Sequence, residues 1–174
     1  MTKVQKRDKN VRIYAWGYVG YNWKSPLIFY ESTNENGKII KEIYLTQILS
    51  IVVQWVREGK IFILEEDNDS GHGTSQKRRL DGSWACPVRR FKEENGIKYY
   101  FNSPSSPDLA PIENVWRIEK QRLKSDDYWN PEYMRERIQE EWKGIPQAKI
   151  NEYIRLMPTR LKSVDQRQGR MTEY

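Results

Sequence analysis

Apolar and polar residues alternate strictly over residues 11–19 (VRIYAWGYV), with Val11, Ile13, Ala15, Gly17 and Val19 on one side and Arg12, Tyr14, Trp16 and Tyr18 on the other. A two-residue period predicts a strand, and PLIFYE (residues 26–31) predicts a second. The intervening GYNWKS carries Gly20 and Asn22, which supply turn chemistry, so the pair reads as a hairpin. Beyond a further turn at Glu35, Asn36 and Gly37 the period lengthens. Tyr44, Ile48, Ile51, Val52 and Trp55 recur at helical spacing within residues 42–59, and Gly59 marks the stop. KIFILEED (residues 60–67) is a short apolar run ending abruptly in acid, the pattern of a buried strand whose C-terminal end opens onto a site.

Residues 68–96 are mixed. NDSGHGT is loop, QKRRL is a helix start broken by Asp81 and Gly82, and VRRFKEENG resumes a helix after Pro87. IKYYF (residues 97–101) predicts a strand, and the Ser/Pro-rich NSPSSPDLAP leads into a helix starting near Pro111, a residue suited to the first helical position. Two more helices follow at residues 131–143 and 147–157, and the pattern assigns nothing to the tail from Pro158. A hairpin followed by strands separated by helices predicts an α/β protein, a mixed sheet with helices on its faces.

Composition narrows the classes. A chain of 174 residues fits one domain, and 37% hydrophobic residues, with 7 Trp and 11 Tyr, exclude a disordered chain. Lys and Arg number 30 against 24 Asp and Glu, a formal charge of +6 that favours polyanionic partners such as nucleic acid or an acidic membrane surface. The most apolar stretch, residues 48–56, is far too short for a membrane span, and MTKVQKRDKN has no apolar run behind it to make a secretory signal. A soluble intracellular protein is therefore expected. The single Cys86 excludes an internal disulfide, and paired Cys/His zinc spacing is absent.

Two acids sit where metal chemistry could use them: Asp67 at the end of a strand and Glu113 in the first turn of a helix that follows another strand. Two-metal phosphoryl transfer needs carboxylates that hold two hard cations about 3.5–4 Å apart, and Asp and Glu oxygens suit Mg²⁺ or Mn²⁺. Plain readings stay open beside this one. Asp67 can be a turn acid, and Glu113 can serve the free amides and dipole of its helix.

The flanking words favour the first reading. LEEDNDSGHGT (residues 64–74) resembles the segment around the second catalytic aspartate of mariner-superfamily DDE transposases, and SSPDLAPIENVW (residues 105–116) resembles the segment around their third catalytic acid. VRIYAWGYVGYNWKSPLIFYE resembles the family's hairpin after its first strand, and MPTRLKSV its C-terminal close. The resemblance implies a ribonuclease H-like fold, cut-and-paste chemistry on DNA, dependence on Mg²⁺ or Mn²⁺, and a nuclear location. It makes Asp67 and Glu113 the second and third metal ligands. Asp69 is then a spare acid in a supporting role, Asn114 a hydrogen bonder behind the ligands, and Asp108 a matter of loop geometry. His72, the one histidine, lies beside the site, where it orients Asp67, touches DNA, or serves only the loop.

Departures from the family pattern carry expectations of their own. In the family the first catalytic aspartate lies on a strand before the hairpin, yet ten residues precede Val11 and their one acid, Asp8, sits too close to the second strand to take that role. The expected organisation is a charged segment (residues 1–10), a partial ribonuclease H-like DDE core lacking its first strand (residues 11–125), and extra C-terminal helices belonging to the same domain (residues 126–174). The family's helix-turn-helix DNA-reading region has no counterpart. The 45 residues between Asp67 and Glu113 exceed the spacing of many family members, and DGSWACP (residues 81–87) reads as an inserted piece. The chain by itself is expected to be inactive in strand transfer, the alternative being a repurposed, non-catalytic DNA-binding or interaction module. An exposed sheet edge predicts self-association.

At 100° per residue, Ile112, Val115, Trp116 and Leu123 share one helical stripe, while Glu113, Arg117, Lys120 and Lys124 share its neighbour. If Glu113 holds metal, that basic row follows the path of a DNA backbone and supplies salt-sensitive affinity. Otherwise it is a solvated face with a Glu113–Arg117 pair worth a few tenths of a kcal/mol. QKRR (residues 76–79) and Arg89–Arg90 read as ordinary solvated surface, and Trp16, Trp23 and Trp55 as packing residues rather than base-stacking platforms.

Overall fold

The computed structural model describes residues 12–31, 40–103, 109–124 and 130–166, so the expectations for Asp8, Asp108 and the turn at residues 35–37 lie outside the described residues. Two compact units divide the chain, residues 1–29 with 106–174 and residues 30–105.

The first unit contains β1 (Tyr14–Trp16), β2 (Val19–Gly20), β3 (Trp23–Lys24) and β4 (Ile28–Tyr30), followed by α4 (Pro111–Leu123), α5 (Pro131–Gly144), α6 (Gln147–Arg155) and α7 (Met157–Gln166). β1 pairs with β4, and β2 with β3 in antiparallel register, so the expected hairpin forms. Its reversal is tighter than GYNWKS suggested: Gly20 pairs with Trp23, leaving Tyr21 and Asn22 at the tip. Asn22 takes a positive φ of 60°, which asparagine tolerates better than most residues. The tip is docked on α6, where Asn151 Oδ1 accepts from the Asn22 N–H at 2.8 Å and Asn151 Nδ2 donates to Asn22 Oδ1 at 2.7 Å. The core gathers Leu27, Val115, Trp142, Ile145 and Ile150. Trp142 stacks on Trp116 at 5.0 Å and donates its indole N–H to Ser25 O at 2.8 Å, so it enters the core with its polar atom satisfied. The ammonium of Lys24 caps the end of α5, donating to Lys143 O at 3.0 Å and Ile145 O at 2.8 Å. Of the tail from Pro158, the described part to Gln166 is helical, with its proline in the first turn of α7, where the missing N–H costs nothing.

In the second unit α1 (Lys41–Ile43), a π-helical stretch (Tyr44–Leu49) and α2 (Ser50–Arg57) run on as one helix where residues 42–59 predicted it. Tyr44, Ile48, Leu49, Val52 and Trp55 are buried. Gly59 ends it as expected: at φ 76° it lets the Lys60 N–H reach Trp55 O at 3.0 Å, a left-handed helix close. β5 (Leu64–Glu66) pairs in parallel with β6 (Tyr99–Phe101), and α3 (Pro87–Glu94) lies between them in sequence. The strand expected over residues 60–67 is shorter and only half-buried, because Leu64 and Glu66 turn inward while Ile61 and Ile63 are exposed. QKRRL forms no helix: Arg78 bridges Trp84 in an antiparallel arm that reverses at Gly82, φ 81°. Among the described residues, strand pairing thus gives three two-stranded pieces, parallel and antiparallel, in a mixed α/β protein. No helix among them is long and apolar enough to cross a membrane.

Candidate functional site

The pleat of β5 sorts a run of acids, since successive side chains point to opposite faces. Glu65 takes the Tyr100 hydroxyl and, at 3.0 Å, the Asn102 amide. Glu66 is buried, where it accepts from the Tyr44 hydroxyl and pairs with the fully buried ammonium of Lys92. Burial, then the neighbouring Glu66 carboxylate, raises the Tyr44 phenol well above its ordinary value, which keeps it a donor. Asp67, one residue past the strand, remains 74% exposed.

The loop after Asp67 is built from its own acids and from α3. Asp67 Oδ1 accepts from the Asp69 N–H at 3.0 Å, and Asp69 caps the 3₁₀ turn Ser70–His72 by accepting from the Gly71 N–H at 2.8 Å. His72 Nδ1 lies 2.6 Å from Asp67 Oδ1, and its ring packs on Tyr44 with centroids 4.6 Å apart. Burial lowers the imidazole pKa, but the Asp67 contact and the charges of Asp67, Glu66 and Asp69 outweigh it and raise the net value. From α3, Lys92 donates to His72 O at 3.0 Å, while Arg89 donates to Gly73 O at 2.8 Å and Thr74 O at 3.3 Å. Gly73 must be glycine: its φ is 83°, and a Cβ there would lie 2.8 Å from the Val88 Cβ.

Glu113 stands in the other unit, exposed in the first turn of α4. Beside it Asn114 is buried and accepts from Arg117 Nη2 at 2.9 Å. Arg117, Lys120 and Lys124 are exposed, whereas Val115 is buried and Ile112, Trp116 and Leu123 are half-buried, as the two stripes predicted. Asp67, Asp69 and His72 are therefore together in one unit, and Glu113, Asn114 and Arg117 in the other. Among the described residues no group of three or more His, Cys, Asp or Glu side chains is placed to hold a metal ion.

Three charged residues acquire roles that the sequence reading did not assign. Arg89, expected on a solvated surface, is buried and supports the His72 loop, a correction that follows from its carbonyl partners. Lys92 is buried on the same face of α3; burial lowers its pKa and Glu66 opposes that shift. Glu119 sits in the middle of the apolar stripe of α4 with Oε1 unpaired among the described residues, and burial pushes its carboxyl up to about 7. Its position at helical spacing from Ile112, Val115 and Trp116 was a readable signal.

No family model matches the chain. Its relatives include the Tcb1 transposase of Caenorhabditis briggsae, 28% identical over 79% of this chain and 47% of the relative. The Tc1 transposase of Caenorhabditis elegans is 31% identical over 67% of this chain and 38% of the relative. The Tcb2 transposase of Caenorhabditis briggsae is 24% identical over 69% of this chain and 41% of the relative. The chain thus spans less than half the length of these relatives. Its fold matches a solved structure of the Mos1 mariner paired-end complex with Mn, with a TM-score of 0.75 and 15% identity, over 97% of this chain and 48% of that one. Related by sequence to Tc1-type transposases and by fold to the mariner protein, the chain belongs to the Tc1/mariner transposase superfamily.

Proposed function

We propose that this chain is part of the catalytic core of a DNA transposase, ribonuclease H-like in fold, in which Asp67 and Glu113 are the second and third carboxylates holding Mg²⁺ or Mn²⁺. The observation that carries the reading is the sorting of acids at β5: Glu65 and Glu66 are committed to protein partners, while Asp67 is exposed on a loop braced by buried Arg89 and Lys92. Such bracing suits a ligand that must be positioned within fractions of an ångström. Carboxylate oxygens fit either cation. Bound there, Mg²⁺ or Mn²⁺ supplies activation of the attacking oxygen and stabilisation of the leaving one. His72 and Asp69 orient Asp67, Asn114 steadies the first turn of α4, and Arg117, Lys120 and Lys124 contact the DNA backbone. Work on chromosomal DNA places the protein in the nucleus.

The test is nicking of end-labelled duplex DNA by the full chain in Mn²⁺, alongside Asp67→Ala and Glu113→Ala. Loss of Mn²⁺ binding in calorimetry in both variants, together with loss of whatever nicking the parent chain shows, is the expected result. Cleavage that survives either substitution removes that residue from the ligand set. A second reading, DNA binding without turnover by this chain alone, is favoured by the exposed basic row of α4, which needs no metal to act. It gives metal-independent DNA binding and no nicking.

A further inference from the structure

The arm over residues 77–85 is not used by the metal site. It is an ordered hairpin: the Arg79 N–H donates to Ser83 O at 2.8 Å, the Ala85 N–H to Lys77 O at 3.0 Å, and Arg78 bridges Trp84. The reversal is built for its sequence. Gly82, at φ 81°, donates to Arg79 O at 3.0 Å, and Asp81 Oδ1 accepts from the Ser83 N–H at 2.9 Å and its hydroxyl at 2.6 Å, a three-residue turn with a left-handed glycine. The base of the arm is stiffened by cations on an indole. The guanidinium carbons of Arg78 and Arg89 lie 3.7 and 4.5 Å from the Trp84 ring centroid. Arg89 is the same residue that holds Gly73 O, so one side chain ties the arm to the loop bearing Asp67 and His72.

The outer part of the arm has no packing role. Residues 75–82 are exposed, and Leu80, at the tip, is fully so. Strand alternation puts Lys77 and Arg79 on the face opposite Arg78 and Trp84, where Arg79 also attracts the Asp81 carboxylate and helps hold its pKa down. The one acid of the tip, Asp81, is engaged by Ser83.

We propose that residues 77–85 form a DNA-contacting arm, with Lys77 and Arg79 on phosphates and Leu80 entering a groove as an apolar wedge. Charge complementarity selects DNA as the occupant, and a rigid, basic, leucine-tipped projection is what wedging between base steps requires. The proposal rests on the DNA reading of the function and deepens it, because the arm would set how the duplex enters the loop of Asp67. Leu80 supplies no contact to the fold, so replacing it leaves folding intact.

The experiment is fluorescence anisotropy of the full chain on a 30-base-pair duplex across a salt series, with 2-aminopurine beside the contacted steps. Lys77→Ala with Arg79→Ala is expected to weaken binding and reduce the slope of log affinity against log salt by about 2. Leu80→Ala is expected to keep the slope and abolish the 2-aminopurine signal of unstacking. Parental affinity and slope in the double variant overturn the arm while leaving DNA binding in place. A chain that binds no duplex overturns both readings. Leu80→Asp that lowers the sedimentation mass with DNA binding unchanged assigns the tip to a second copy of the chain and overturns the proposal.

Discussion

Helices α3 and α4 are both rich in charge and treat it in opposite ways. On α3 the cations go inside: Arg89 and Lys92 are buried against carbonyls and a carboxylate. On α4 the cations Arg117, Lys120 and Lys124 stay in solvent, and an acid, Glu119, is buried instead. The difference lies in the partners. α3 packs against a loop whose backbone carbonyls cannot be satisfied from within, so cations there complete its hydrogen bonding. α4 packs its inner stripe against an apolar core that offers Glu119 nothing comparable. A cation on a helix therefore indicates surface only where no neighbouring backbone needs a donor.

The sharpest way to break that comparison is to remove Lys92. In Lys92→Met the Glu66 carboxylate is left in the interior with only the Tyr44 hydroxyl, and breaking a buried pair from one side costs about 3–5 kcal/mol. Urea unfolding should show that loss, with much of it recovered in Lys92→Met/Glu66→Gln because the stranded charge is gone. A single variant as stable as the parent would mean that Lys92 is a solvated cation like those of α4.

How much of this was legible follows from the range of the interactions. Helices over residues 42–59, from near Pro111 and over 131–143 were readable because their pattern records burial residue by residue. The inward turn of Glu66 and outward turn of Asp67 are also local, a consequence of the strand period. The burial of Arg89 and Lys92 was not readable. Their partners lie 16 and 26 residues away, and VRRFKEE read alone is a solvated helix. The arm at residues 77–85 was missed for a related reason: QKRRL has fair helix propensity, and its strand depends on pairing across a turn. Resemblance to a family named Asp67 and Glu113; periodicity alone left a turn acid and a helix-dipole acid equally open.

A smaller effect tests the buried acid. Burial, then repulsion from Glu141, lifts the Glu119 carboxyl from 4.5 to about 7, with Lys120 and Lys24 opposing. Between those values the native state keeps a proton that the unfolded chain has released, so stability is full below 4.5 and falls as pH rises toward 7. Glu119→Gln should flatten that fall and, discounted for residual solvent contact, raise stability at pH 8 by about 1 kcal/mol. Thermal melts of parent and variant at pH 5 and pH 8 measure it. An unchanged difference between the two pH values would show Glu119 to be ionised in the fold at both.

The smallest effect on folding is expected where the cations are exposed. Arg117→Ala, Lys120→Ala and Lys124→Ala remove side chains that face solvent on α4, and each should change stability by no more than about 0.5 kcal/mol. The Arg117 guanidinium also donates to buried Asn114, so its variant should lie at the upper end of that range. On DNA the order reverses. The triple variant should lose affinity and reduce the salt slope by up to about 3, because each phosphate contact releases its own counterion, while Lys92→Met/Glu66→Gln keeps the parental slope. If the triple variant instead melts early and binds duplex as the parent does, then α4 uses its outer cations for the fold just as α3 uses its inner ones.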